Sequence, residues 1–422
     1  MAGLSNRDRK KILQSLKSGV VPRRGIHHIQ VGRSREIKAL MSDMDDVSHG
    51  STAFRIVIGD YGSGKSFFLL LTKETALQQG LCVASADLSP ERRLYSSTGQ
   101  ARALYSELAR ELSTKTKPDG DGLKNIIEKY LQKTDQASIS KLENQLSQYS
   151  LGFYFIKVLQ IYRAGIEEDD TNKCFSALKW LRGEYTTKTE ANKDLGVKVI
   201  ISDNNYYDAL KALSTLVVNA GYKGLMICID EMVNLLRISQ TNTRKNNYEQ
   251  LLKILNDLLQ GTASNISFLL SGTPDFLTDD RKGLYAYEAL RSRLQENEFA
   301  EQGFFDSRHP VIRLKPLSNE EIYNLIRRVG EIYDQGDVSC KGDNEAIKLF
   351  LGHCNSKLGS EIFTSPRTVI RSYLNLRDIL NENPDADINN LIESTPIEAD
   401  IDPELGIESI PETDSDLIEF KL

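Results

Sequence analysis

The chain has 422 residues, 40% of them hydrophobic and 27% charged. That composition belongs to a globular protein with room for two or three domains, and it excludes a collagen-like, coiled-coil or disordered chain. The net charge of −6 hides an asymmetry: residues 393–422 hold ten acids and one base, whereas residues 1–38 hold ten bases and two acids. An acidic, Pro-containing tail, expected to be flexible, therefore hangs on a near-neutral body with a basic start, and the overall charge says nothing against a polyanionic partner.

No run of eighteen apolar residues occurs, so no membrane-spanning helix and no membrane partner are expected. The first nineteen residues lack the apolar stretch of a secretory leader. Cys82, Cys174, Cys228, Cys340 and Cys354 form no close pair, and the five histidines show no zinc spacing. A reducing, cytoplasmic setting is the expectation.

In chain order, residues 6–18 read as a short basic amphipathic helix with Ile12, Leu13 and Leu16 on one side, ended by Gly19 and Pro22. A turn at Gly32 precedes a second helix. Phe54–Ile58 is a β-branched strand, a glycine-rich turn follows, and an apolar helix runs from Lys65 to Gln79 until Gly80 stops it. Cys82–Asp87 reads as the next strand. From about 90 to 215 the spacing turns helical, as in Leu104, Leu108 and Leu112, and Val197–Ile201 is its one convincing strand signal. Leu225–Ile229 and Ile266–Leu270 are compact buried strands on either side of a helix at Tyr248–Gln260, and Val311–Leu314 is the last strand. Strand–helix alternation around a helical insertion predicts a parallel α/β sheet. Ser318-Asn319-Glu320-Glu321 then opens a helical region as a capping box, with two or three more helices to about residue 392.

Gly59-Asp60-Tyr61-Gly62-Ser63-Gly64-Lys65-Ser66 fits the G-x-x-x-x-G-K-[ST] pattern in full, between a strand and a helix. Its glycines let backbone N–H groups wrap phosphate oxygens, and the helix through Phe67 adds its positive end. Lys65 would reach the β- and γ-phosphates of ATP, and the Ser66 hydroxyl would ligate Mg²⁺. The strand Leu225–Ile229 ends in Asp230-Glu231, where Asp230 would hold Mg²⁺ through water and Glu231 would polarise the attacking water. A nominal guanine motif, Thr116-Lys117-Pro118-Asp119, lacks a preceding apolar strand and reads as a loop.

The order of parts resembles AAA+ ATPases. Val31-Gly32-Arg33 with Glu36 resembles the element that packs near adenine, so Gly32 and Arg33 join the expected nucleotide contacts. Leu270-Ser271-Gly272-Thr273-Pro274 resembles the sensor 1 strand end, with Thr273 first and Ser271 in reserve as the polar contact. Leu290-Arg291-Ser292-Arg293-Leu294 resembles the arginine-finger segment, implying Arg291 and Arg293 as fingers for a neighbouring subunit. Ser365-Pro366-Arg367 resembles sensor 2, implying that Arg367 reaches the phosphates. LKSGVVPRRG, RALYSELARELSTKTKPDG, IDEMVNL, NNYEQLLKILNDLLQGTASNISFLLSGTPDFL and RKGLYAYEALRSRL resemble the BREX-type ATP-binding proteins of bacterial phage-defence islands.

The expected fold is thus α/β, a P-loop NTPase of AAA+ type. A basic helix and linker (1–30) would precede the core (31–315, with the insertion at about 90–215), a helical lid (316–392) and the acidic tail (393–422). The resemblance implies an ATP-hydrolysing protein that assembles with itself in an ATP-dependent ring or arc and works with defence proteins such as a helicase or nuclease, with DNA a further candidate partner. A DNA-acting motor or loader and a slow ATP-gated switch or scaffold both remain open. A phosphotransferase is disfavoured by the Asp230-Glu231 pair.

Overall fold

A computed structural model describes residues 4–132, 136–296, 306–334, 344–358, 365–383 and 385–394. Cys340 and nearly all of the acidic tail lie outside these residues. The helices are α1 (Asn6–Lys17), α2 (Ser34–Ser48), α3 (Lys65–Gln79), α4 (Gln100–Arg110), α5 (Leu123–Gln132), α6 (Gln136–Leu146), α7 (Gly152–Glu167), α8 (Thr171–Leu181), α9 (Lys188–Leu195), α10 (Tyr206–Asn219), α11 (Val233–Leu236), α12 (Thr241–Leu259), α13 (Pro274–Thr278), α14 (Glu288–Leu294), α15 (Asn319–Tyr333), α16 (Asn344–Leu358), α17 (Pro366–Glu382) and α18 (Ile388–Ser394). The strands are β1 (Thr52–Ile58), β2 (Cys82–Asp87), β3 (Leu225–Asp230), β4 (Ile266–Gly272) and β5 (Val311–Arg313). The chain divides into two compact units, Gly32–Asp60 with Gly64–Lys315, and Met1–Val31 with Tyr61–Ser63 and Pro316–Leu422.

The larger unit holds one parallel sheet in the order β2-β3-β4-β1-β5. Both faces are buried, which is why its strands read as nearly continuous apolar runs. Alternate residues still divide between the faces. Ile56, Ile58, Ile227, Ile229, Phe268 and Leu270 point into one core, and Val57, Met226, Cys228 and Leu269 into the other. The second core is capped by α2 and α3 through Leu40, Met44, Val47, Phe68 and Leu77. The first is continuous with the insertion: Leu104, Leu108, Ile126, Phe155, Trp180, Leu210 and Leu213 belong to the same cluster as the strands. The insertion is therefore built onto the sheet and shares its core. This is the P-loop NTPase arrangement expected from the sequence.

Two elements differ from the sequence-based expectation. Val197–Ile201 forms no strand. Two of its main-chain carbonyls are taken by side chains, Val199 O accepting from Trp180 Nε1 (2.7 Å) and Ile200 O from Asn205 Nδ2 (3.1 Å). Burial of Val197, Ile200 and Ile201 produced the apolar pattern without a ladder. Helix α12 begins at Thr241, a full turn and more before Tyr248, because Arg244 and Asn247 are buried polar residues with partners: Arg244 donates to Ile238 O, and Asn247 spans both main-chain groups of Tyr95. The residues 116–119 lie in a turn, as the sequence implied.

In the smaller unit, α1 packs against α15 and α17. Its Ile12, Leu13 and Leu16 are buried, as their spacing predicts. Ser318 and Glu321 form the capping box of α15. Arg377 of α17 donates to Asp334 (2.5 Å) and to Tyr373 Oη (3.1 Å) and lies over the Tyr333 ring. Gly330 leaves room for Tyr373, whose hydroxyl would stand 2.8 Å from a Cβ there. Among the described residues no helix is long and apolar enough to cross a membrane. The four described cysteines are free, and burial pushes the Cys228 thiol up to about 12, which makes it inert.

A buried ion pair sits inside the larger unit. Arg55 of β1 is 5% exposed and binds both oxygens of Asp43 on α2 (2.6 and 2.7 Å) while donating to His309 O and Ser307 O. Burial lifts the Asp43 carboxyl above its ordinary range although Arg55 opposes the shift. Arg55→Ala should lower stability by about 3–5 kcal/mol by stranding Asp43, and Arg55→Met with Asp43→Leu should cost far less. Urea unfolding of the three proteins checks this.

Candidate nucleotide site

The loop between β1 and α3 has the backbone its glycines permit. Gly62 and Gly64 have φ of +78° and +89°. Gly64 caps α3, and the first turn of that helix is pinned by buried Phe68 and Leu69, so Lys65, Ser66 and Phe67 start on a fixed frame. Gly59 N–H donates to Gly272 O (3.3 Å), which ties the start of the loop to the end of β4. Lys65 Nζ donates to Gly59 O (2.8 Å) and Asp60 O (2.9 Å), so the ammonium lies over the loop's own mouth. Ser63 is buried and Ser66 is exposed, at the second position of α3. The tip of the loop, Tyr61–Ser63, groups with the smaller unit.

Across β4 from β1, strand β3 delivers Asp230 and Glu231. Glu231 is left-handed (φ +58°), an uncommon conformation for a side-chain-bearing residue. The turn is held on every side. Glu231 N–H donates to Asp230 Oδ1 (2.8 Å), Met232 N–H to Ser271 O (3.0 Å), and Asn234 N–H to Glu231 O (3.0 Å). Asn234 Nδ2 also donates to Leu88 O (2.9 Å), and Leu88 N–H to Asp230 O (3.0 Å). A strained residue so thoroughly fixed is the pattern found at functional positions.

At the end of β4, Ser271 is fully buried and its hydroxyl has no hydrogen-bond partner among the described residues. Thr273, half-buried, is the N-cap residue of α13 with no side-chain cap bond. Gly272 between them abuts the Phe276 ring, with Cδ1 2.6 Å from where a Cβ would stand. The strand ends thus bring Gly59, Asp230, Glu231, Ser271 and Thr273 to one edge of the sheet. Gly32 and Arg33 are both left-handed (φ +61° and +60°), and the Arg33 guanidinium donates to Lys315 O.

The two arginines of α14 part company. Arg293 donates to Asn256 Oδ1 (2.9 Å) and Ala289 O (2.6 Å). With Arg35, Lys38, Thr52 and Arg55 it lines a cavity of about 760 Å³ at the amino ends of the strands, opposite the loop. Arg291 is exposed, and its guanidinium makes no hydrogen bond or ion pair among the described residues. Glu296, just beyond α14, binds Arg313 (2.7 Å). In the smaller unit, Arg367 Nη1 donates to Tyr61 Oη (3.4 Å) from the first turn of α17.

Sequence reasoning missed Asp87. Strand pairing sets it directly beside Asp230, and burial together with the Asp230 charge lifts its carboxyl above the ordinary range. The available signal was that β2, like β3, ends its apolar run on an acid.

A family model, the BREX system ATP-binding protein BrxC/D, matches residues 4–396. The chain belongs to the BrxC/D family. It is an ATP-binding protein of the BREX phage-defence system, which implies other BREX proteins as its partners. The BrxC/D match runs from α1 through α18 and so takes in both compact units. No curated protein matches the chain. Gly64→Ala tests the loop on geometry alone. A Cβ there meets open space, so the variant should fold, yet the left-handed backbone it needs costs about 1–2 kcal/mol and should lower ATP affinity by about tenfold. Titration with a fluorescent ATP analogue beside a thermal melt measures both.

Proposed function

We propose that this BrxC/D-family chain is a Mg²⁺-dependent ATPase that drives or gates a DNA-acting defence complex. The observation that carries the proposal is the complete phosphate-binding loop on β1 facing, across β4, the locked Asp230-Glu231 turn on β3. The backbone N–H groups of Gly62–Ser66 and the amino end of α3 suit the phosphates. Lys65 offsets the charge that develops between the β- and γ-phosphoryl groups.

The residues also fit Mg²⁺, which keeps several waters and takes few protein ligands. Ser66 offers an exposed hydroxyl. Asp230 spends Oδ1 on the Glu231 N–H and has Oδ2 for the ion's water shell. When bound, the ion supplies charge neutralisation at the phosphates. Glu231, held on its rigid turn, orients and deprotonates the attacking water, and Ser271 or Thr273 at the next strand end contacts the γ-phosphate or that water. Gly32 and Arg33 lie on the side of the nucleotide base. Arg367 contributes a cation toward the phosphates.

Lys65→Ala should lose tight ATP binding, whereas Glu231→Gln should bind ATP normally and fail to turn it over. Equilibrium binding and phosphate release on the two variants separate the roles, and normal turnover by Glu231→Gln would remove Glu231 as the base.

A second reading, a slow ATP-gated switch or scaffold, is favoured by one observation. Arg293 is engaged within its own chain, which takes away one of the two arginines that could serve a neighbouring subunit and leaves Arg291 of the pair. Such a finger is worth about 10³–10⁵ in rate. Under the motor reading, ATP assembles a ring or arc. Specific activity then rises steeply with protein concentration and with DNA, and mixing Lys65→Ala with Arg291→Ala subunits restores activity. Concentration-independent turnover that ignores DNA, with Arg291→Ala fully active, decides for the switch.

A further inference from the structure

Helix α1 ends in a turn that touches Arg367. Val20 N–H donates to Ser15 O (2.9 Å) and Gly19 N–H to Leu16 O (3.0 Å), the paired bonds of a Schellman cap that requires a left-handed residue at Gly19 (φ +69°). A Cβ on Gly19 would lie 3.4 Å from Arg367 Cδ and 3.5 Å from Cγ, so the stem of Arg367 crosses bare backbone. The far end of that side chain meets Tyr61 at the tip of the phosphate-binding loop. Beside it Ser365, the N-cap of α17, closes on Gly62, where a Cβ would stand 2.9 Å from Ser365 Cβ.

The turn is itself held in place. Lys17 Nζ binds both oxygens of Asp378 on α17 (2.7 and 2.6 Å), and Tyr333 Oη donates to the same carboxylate (2.8 Å). Arg9 Nη1 donates to Tyr333 O (2.9 Å), and Ile12, Leu13 and Leu16 are buried beneath α1. A long arginine side chain loses much rotamer freedom when it is aimed, and a fixed floor under its stem removes part of that cost in advance.

We infer that the N-terminal segment aims Arg367. The Gly19 turn is the floor on which its side chain lies, and the Lys17–Asp378 clamp holds that floor against α17. Gly19 and Lys17 are positioning residues, acting on nucleotide only through Arg367. The inference rests on the reading of Arg367 as a nucleotide-facing cation.

The test is a four-protein cycle in the full chain: wild type, Gly19→Asn, Arg367→Ala and the double variant. Asparagine tolerates the left-handed turn and so keeps the cap; its Cβ alone reaches ordinary contact with the arginine stem, and the carboxamide beyond it takes room along that stem. Affinity for a fluorescent ATP analogue, steady-state kcat and Tm are measured on each. Arg367→Ala should weaken binding or slow turnover about tenfold, Gly19→Asn about fivefold, and the double variant should match Arg367→Ala within about twofold. Effects that multiply in the double variant, or a Gly19→Asn protein with wild-type binding and turnover, overturn the inference. An inert Arg367→Ala instead overturns the reading of Arg367, and the inference falls with it. Should Gly19→Asn fail to fold, Lys17→Glu replaces it in the cycle. Adding Asp378→Lys to that variant should recover at least half of the loss, and no recovery counts against the clamp.

Discussion

Parallel pairing of β1 with β4 and of β4 with β3 is the constraint on which the larger unit depends. Ile58 lies opposite Gly272 and Ile229 opposite Leu270, so the three strands run out at one edge. Whatever follows each strand is delivered there: the phosphate-binding loop, the Asp230-Glu231 turn, and the Ser271–Thr273 corner. Main-chain bonds then tie the deliveries together, Gly59 to Gly272 and Met232 to Ser271. A parallel sheet can hold such a register only with both faces covered, because its crossovers must lie on the faces. The α2–α3 layer and the insertion supply that cover.

The insertion is therefore more than an attachment. Its α4, α5, α7, α8 and α10 side chains belong to the same apolar cluster as the strands. The β2 end, where the insertion begins, is also the strand that sets Asp87 beside Asp230. A change in the packing of these helices bears on the acidic end of the sheet through a dense interior, which transmits strain because it has few voids. This gives the proposed ATPase a physical route from nucleotide chemistry to whatever the insertion touches.

The smaller unit rests on a different kind of interaction. Its helices are joined by cation–carboxylate–tyrosine clusters, Lys17–Asp378–Tyr333 and Asp334–Arg377–Tyr373, laid over an apolar core. Such clusters fix geometry more than they add stability, since desolvating charges offsets much of their attraction. That suits the proposed aiming of one arginine, Arg367.

Much was legible in the sequence because it is local. The loop Gly59–Ser66 needs only its own glycines and the flanking strand and helix. The capping box at Ser318 and the stop at Gly80 involve residues a few positions apart, and the apolar runs of the strands betray a sheet buried on both sides. The candidate residues Lys65, Ser66, Asp230 and Glu231 were readable for the same reason. The tertiary structure alone decided the rest. Val197–Ile201 has the composition of a strand, but side chains from Trp180 and Asn205 occupy two of its carbonyls. Asp87 stands beside Asp230 through a register that no local pattern encodes. Arg291 and Arg293 are two residues apart and chemically alike, yet Asn256, distant in the chain, engages one of them. The N-terminal helix announced its apolar face, but α15 and α17, more than 300 residues away, determined what that face would meet. Local spacing specifies an element and its sidedness; which element covers that side depends on long-range packing that only the folded chain resolves.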